Sequence, residues 1–286
     1  MIRYWKRFSW SNAAFTAAMS GFALFMLLPI VFILNHAFKP LNELFQFPPS
    51  FVVKTPTFMN FQNLFMATSG DIVPFTRYLF NSVVVTGLTL LSVILASSMA
   101  GYALAKHRFR FKTTILAFIM LALMFAPETV AIPRYLAVSG LGITDTYLGH
   151  ILPFIANPVA VFLMIQFIGQ IPEALIEAAK LEGASELRLF VSVILPLAAP
   201  AVATVAILTF QAVWMDIEGS TFYMQDETMK TLAYYVTTLT GGVQNQVAGQ
   251  GIAAAAGLLV FLPNLLMFLA FQKYVIQTMV HSGVKG

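Results

Sequence analysis

The sequence predicts an all-α membrane protein of six transmembrane helices, with a cytoplasmic helical segment between spans four and five. Three observations carry that prediction. Hydrophobic residues make up 59% of the 286 and charged residues only 10%, whereas about a quarter of residues are charged in soluble domains. The apolar residues lie in long uncharged runs, most of them exceeding the roughly 20 residues that cross a hydrocarbon core as a helix. Lys and Arg fall preferentially in alternate connections between those runs.

Arg3, Lys6 and Arg7, interleaved with Tyr4, Trp5 and Trp10, precede the first run, Phe8 to Phe38. It is longer than the ~7–15 residues of a secretory signal core and no small-residue cleavage site follows, so it reads as a retained span. Further runs occupy Tyr78 to Ala105, Thr113 to Pro127, Thr146 to Pro172, Leu189 to Met215 and Ile252 to Gln272. The third reaches spanning length only if Glu128 is tolerated near its end. The expected spans are about 12–35, 79–104, 114–134, 148–170, 191–214 and 252–273, all within one transmembrane domain over residues 1–286.

Orientation follows from the cations. With the N-terminus inside, the inner segments hold Arg3, Lys6, Arg7, Lys106, Arg108, Arg110, Lys112, Lys180, Arg188, Lys273 and Lys285, eleven of the sixteen Lys and Arg residues. Both termini are therefore expected in the cytoplasm of a multi-pass cell membrane protein. In the first outer loop, Lys39 to Arg77, Pro48, Pro49 and Pro56 argue against a long helix before about Thr57. Its aromatic residues suit the membrane interface or a partner. In the third outer loop, Leu232 to Leu239 suits a short helix, and the glycines from Gly241 to Gly251 suggest mobility.

Composition excludes several functions. Cysteine is absent, the four histidines show no i, i+4 pair, and a metal centre is not expected. No Gly-x-x-x-x-Gly-Lys-Ser/Thr loop exists to cradle nucleotide phosphates, so any ATP must be handled by another chain. Gly-x-Ser-x-Gly is also absent. The basic residues are too few and too scattered for nucleic acid. Polar side chains within spans are costly in lipid unless they face protein or water. Asn81, Asn157, Gln166, Gln211 and Trp214 are thus candidates to line a substrate path, the alternative for the amides being hydrogen bonds between helices. Glu128 could snorkel, pair with Arg134 or serve a proton relay, which leaves open a proton-coupled secondary carrier. A non-transport membrane enzyme would need a nucleophile and base that the sequence does not supply.

The stretch from about 172 to 190 is the most charged part of the chain. PEALIEAAKLE from Pro172 favours a helix, Gly183 offers the left-handed conformation that ends one, and Ser185 can cap the next. Glu177-Ala178-Ala179, Gly183 six positions after Glu177, and Ile194-Leu195-Pro196 resemble the EAA signature of the permease subunits of bacterial ATP-binding cassette importers. Phe80-Asn81-Ser82, Ala126-Pro127-Glu128, Leu141-Gly142 and the terminal Gly283-Val284-Lys285-Gly286 are similar to the carbohydrate-importer branch, in particular its shorter membrane subunit. The likeness covers nearly the whole chain, with Glu182 where relatives carry Asp and Gln166 where many carry Arg.

The resemblance implies that the segment is a coupling helix seated in a cleft of a cytoplasmic ATPase. Glu177 would contact the ATPase, Ala178 and Ala179 would permit close packing, and Gly183 would make the bend. It further implies a second permease subunit, two copies of the ATPase that bind ATP and Mg, and an extracytoplasmic sugar-binding protein that delivers an oligosaccharide. This chain would itself hold no cofactor and hydrolyse no ATP.

Overall fold

The computed structural model describes residues 10–48, 50–67, 73–243 and 249–283, and among these every regular element is helical. The basic N-terminal cluster, the tripeptide 284–286 and residues 244–248 of the glycine-rich stretch lie outside them.

Fifteen α-helical elements follow one another among the described residues: α1 (Trp10–Ala37), α2 (Leu41–Leu44), α3 (Met59–Ala67), α4 (Phe75–Lys106), α5 (Lys112–Ala122), α6 (Ala131–Gly140), α7 (Tyr147–Ile155), α8 (Pro158–Gly169), α9 (Glu173–Leu181), α10 (Glu186–Leu189), α11 (Leu195–Leu197), α12 (Ala199–Trp214), α13 (Glu218–Phe222), α14 (Leu232–Val243) and α15 (Gly249–Gly283). Among the described residues, three stretches are long and apolar enough to cross a membrane unbroken: Ala13–Ala37, Phe75–Lys106 and Gly249–Tyr274. Three more are bent pairs, α5 with the turn and helix Pro127–Gly140 at 109°, α7 with α8 at 44°, and Glu186–Leu197 with α12 at 78°.

These breaks differ from the expected continuous helices, most sharply over 114–134. The eleven residues of α5 rise only about 16 Å, at 1.5 Å per residue, and the chain turns before Glu128 is reached. The cause is local. Pro127 lacks an amide donor and drives Ala126 into an extended conformation (φ −69°, ψ 141°), after which Pro127–Val130 forms a 3-10 turn. Pro158 acts likewise on Asn157, and Pro196 and Pro200 flank the turn at Ala198.

The chain forms two compact units. In the first, residues 1–70 with 239–259, α1 is apolar around its whole circumference and exposed, as a lipid-facing helix should be. Asn60 of α3 donates to the carbonyls of Ala37 and Lys39, at 3.0 and 2.8 Å, satisfying groups left open at the end of α1. Glu43 accepts from the Lys54 and Thr55 amides at 3.0 and 2.9 Å, so the proline-rich loop is folded without a long helix. Its aromatic residues partly pack on one another, Phe38 lying 5.3 Å from both Phe58 and Phe61.

In the second unit, residues 71–238 with 260–286, α4 is the central strut and packs against α8, α12 and α7. The approach to α8 is close: a Cβ on Gly101 would stand 2.6 Å from Met164 Cβ. Val93, Met164, Ile168, Leu189, Ile194 and Val205 form the buried core around this contact.

Candidate functional site

Two regions at opposite ends of α4 gather the chemistry. The first is the charged segment. α9 ends in a Schellman arrangement: Ala184 N–H donates to Ala179 O and Gly183 N–H to Lys180 O, both at 3.0 Å, with Gly183 at φ +78°. Nothing lies within 4 Å of a Cβ at Gly183, so glycine is required there for its backbone conformation and not for space. Ser185 Oγ then accepts from Arg188 N–H at 3.4 Å and starts α10.

One face of this bend is locked into the core. Ile176, Leu189 and Phe190 are buried in the same cluster as Val93 of α4 and Met164 of α8, and Ala179 packs against it. Tyr102 Oη donates to Glu186 Oε2 at 2.9 Å, while Glu186 Oε1 receives Lys180 Nζ at 2.8 Å. Lys106 Nζ reaches the carbonyls of Gly169 and Ile171 at the end of α8, and Glu173 at 3.5 Å. The other face is free of the other described residues. Glu177 and Ala178 are exposed, and beside them Leu181 is 89% and Leu187 71% exposed.

The opposite end holds a network and a cavity. Asn81 is fully buried, donates to the carbonyls of Thr228 and Lys230 at 2.8 Å each, and accepts from Tyr147 Oη at 2.8 Å. Ser82 Oγ accepts from Leu232 N–H at 2.8 Å, and Asp145 receives the amides of Gln225 and Asp226 at 2.6 and 2.9 Å. These contacts strap residues 225–232 across the end of α4. Trp214 is buried too, stacked on Phe210 and donating from Nε1 to Val260 O at 3.0 Å.

Beside the strap lies a cavity of about 740 Å³. Leu123 and Phe125 at the first helix break line it, as do Phe154, Ala156 and Asn157 at the second, with Arg134, Asp216 and Glu218. Asn157 Oδ1 accepts from Ala160 N–H at 3.0 Å, capping α8, and the residue also borders a smaller cavity of about 200 Å³. Asp216 receives Gly219 N–H at 3.1 Å, yet burial of its carboxyl pushes the pKa up to about 6, with Glu218 adding to the rise and Arg134 opposing it. Among the described residues no cluster of His, Cys, Asp or Glu could hold a metal ion.

Of the path candidates, Asn157 alone lines these cavities. Asn81 and Trp214 are engaged inside the bundle, and Gln166 and Gln211 lie on its outer surface. Glu128 is exposed at the first break, and none of the ion pairs among the described residues joins it to Arg134. Asp216 and Glu218 carry no distinguishing signal in the sequence, because an acid just past an apolar run resembles an ordinary span end. Nor does any sequence pattern single out Tyr102, 84 positions from Glu186, since no periodicity links residues that distant.

Comparisons with known proteins agree with this architecture. Residues 92–280 match the family described as binding-protein-dependent transport system inner membrane component. The arabinooligosaccharides transport system permease protein AraQ of Bacillus subtilis (strain 168) is 30% identical over the full length of both chains. The trehalose transport system permease protein SugB of Mycobacterium tuberculosis (strain CDC 1551 / Oshkosh) is 30% identical over 92% of this chain and 93% of its own. The fold is similar to that in a crystal structure of a bacterial ABC transporter involved in the import of the acidic polysaccharide alginate, with a TM-score of 0.79, 22% identity, and coverage of 94% of this chain and 99% of that one. A multi-pass bundle carrying this sequence signature over two thirds of its length is an ABC transporter permease, and the chain belongs to the binding-protein-dependent transport system inner membrane components.

Proposed function

We propose that this chain is one membrane-spanning subunit of an ATP-driven sugar importer, taking an oligosaccharide along a path formed with a second permease. The observation that carries the proposal is the two-sided bend at Gly183. Its inner face is built into the α4–α8 core, so displacing the bend displaces those helices. Its outer face presents Glu177, Ala178 and the exposed Leu181 and Leu187, an apolar and acidic surface suited to a protein cleft. With Lys and Arg placing this end inside, the cleft belongs to a cytoplasmic ATPase, two copies of which bind ATP and Mg. The strapped loops at the other end then face the extracytoplasmic binding protein that brings the sugar. Relatives named for arabinooligosaccharides, trehalose and melibiose, raffinose and stachyose support the substrate class. Each bent helix pair then counts as one span, giving six, with both termini in the cytoplasm.

Copurification tests the assembly: a second permease and an ATPase dimer accompany the tagged chain. Glu177→Ala keeps the chain in the membrane but releases the ATPase and abolishes uptake. Uptake that needs no ATP and collapses with the proton gradient would instead establish a secondary carrier.

A further inference from the structure

We infer that the cavity bordered by Asn157, Arg134, Asp216 and Glu218 is a sugar subsite supplied by this chain itself, suited to an uncharged, hydroxyl-rich unit and set against a uronate. The inference rests on the import reading above and names the chemistry its path selects.

Irregular backbone at membrane depth is tolerated where it is buried in protein or lines a water-filled cavity, and broken helices that converge on one space mark binding sites in transporters. Here the breaks at 123–126 and 156–157 both open on the same cavity, together with the end of α12. Its volume of about 740 Å³ falls within the ~300–1,000 Å³ of small-molecule sites.

The lining has two kinds of polar group. Arg134 donates only. Asn157 has its Oδ1 committed to the α8 cap, which leaves its amide protons as the group to offer. Asp216 and Glu218 accept. A hydroxyl both donates and accepts, so a neutral sugar ring can satisfy both kinds at once, with its C–H faces against Phe125 and Phe154. None of the ion pairs among the described residues ties Arg134 to either acid, although its charge acts on Asp216 and its guanidinium hydrogen-bonds Tyr223. Two carboxylates and one guanidinium share the lining, and a uronate would add a third negative charge, a repulsive element against the wrong ligand.

The test is saturation-transfer NMR on the full importer in nanodiscs, without its binding protein, using maltotriose and trigalacturonate as probes. Wild type gives a maltotriose signal and little from trigalacturonate. Asn157→Asp retains an N-cap but replaces the amide donor, and weakens maltotriose about tenfold, the effect of losing one good hydrogen bond. Glu218→Lys raises the trigalacturonate signal about tenfold. Size-exclusion profiles equal to wild type show that each variant assembles, and Glu218→Gln replaces Glu218→Lys if that variant does not. A maltotriose signal unchanged in both assembled variants overturns the subsite while leaving the import reading intact. No signal from either saccharide in wild type, with no sugar uptake, overturns both.

Discussion

Tyr102 Oη and Glu186 Oε2 meet at 2.9 Å, joining the end of the long helix α4 to the first turn after the Gly183 bend. The contact lies beside Tyr102's packing on Phe190, with ring centroids 5.8 Å apart, so it couples two elements through both polarity and shape. Glu186 is half exposed, which limits the bond to about 1 kcal/mol after solvent screening. A double-mutant cycle with Tyr102→Phe and Glu186→Ala, read by thermal unfolding of the assembled importer, should return a coupling of that size. The same variants should transport less sugar per ATP hydrolysed while binding the ATPase normally.

The φ of +78° at Gly183 costs a β-branched residue about 1–2 kcal/mol or more, while asparagine tolerates it. Gly183→Val should therefore abolish uptake with the chain still in the membrane, and Gly183→Asn should retain a measurable part of it. Equal activity in the two would show that the backbone conformation of the bend is irrelevant to coupling.

At the α4–α8 crossing the effect is steric. Gly101→Ala places a methyl 2.6 Å from Met164 Cβ, and relief requires the two helices to separate. The expected loss is about 1–3 kcal/mol, visible as a lowered melting temperature in fluorescence-detected size exclusion. Gly87→Ala on the same helix, where a Cβ meets nothing within 4 Å, should leave that temperature near the wild-type value.

Asn81 distinguishes donor from acceptor chemistry. Its amide protons hold the carbonyls of Thr228 and Lys230, and Asn81→Asp would set a carboxylate against both. That nearly isosteric change should destabilise the strap by about 2–3 kcal/mol, the penalty for buried polar groups left unpaired. Limited proteolysis within 216–231 on the protein in nanodiscs should report it as faster cleavage.

Asp216 gives a pH signature. Its pKa in the fold is about 6 against an ordinary 3.8, the cause being burial of the carboxyl, with Glu218 raising it further and Arg134 and the Gly219 amide opposing. His150 Nδ1 would stand 3.0 Å from a Cβ on Gly219, where Asp216 Oδ2 also crowds, and the Tyr223 hydroxyl feels the Asp216 charge as well. A raised carboxyl pKa means that the folded state holds the proton more tightly than the unfolded state. This residue's contribution to stability is therefore greatest below about pH 4 and falls as pH rises through 6. Asp216→Asn should flatten the stability profile between pH 4 and 6, a change measurable by thermal shift across that range.

Linear patterns sufficed for much of this molecule. Run length and charge placement indicated a membrane bundle, because hydrocarbon imposes its demands residue by residue along the chain. The Pro172-to-Pro196 pattern located the bend at Gly183, since helix propensity, a left-handed glycine and a serine cap are all local signals. The same pattern, with its spacing from Glu177, pointed to the permease family.

Tertiary structure decided which polar residues are occupied and which are available. Asn81 and Asn157 look alike in sequence, each an amide at the edge of an apolar run. One is consumed by a strap almost 150 residues away, and the other lines a cavity that exists only because two proline-broken helices meet. The pairing of Tyr102 with Glu186 likewise depends on where helices pack, whereas the 109° turn before Glu128 begins with the local effect of Pro127. Hydrophobic pattern specifies that a segment enters the membrane, but only long-range packing specifies what each side chain meets there.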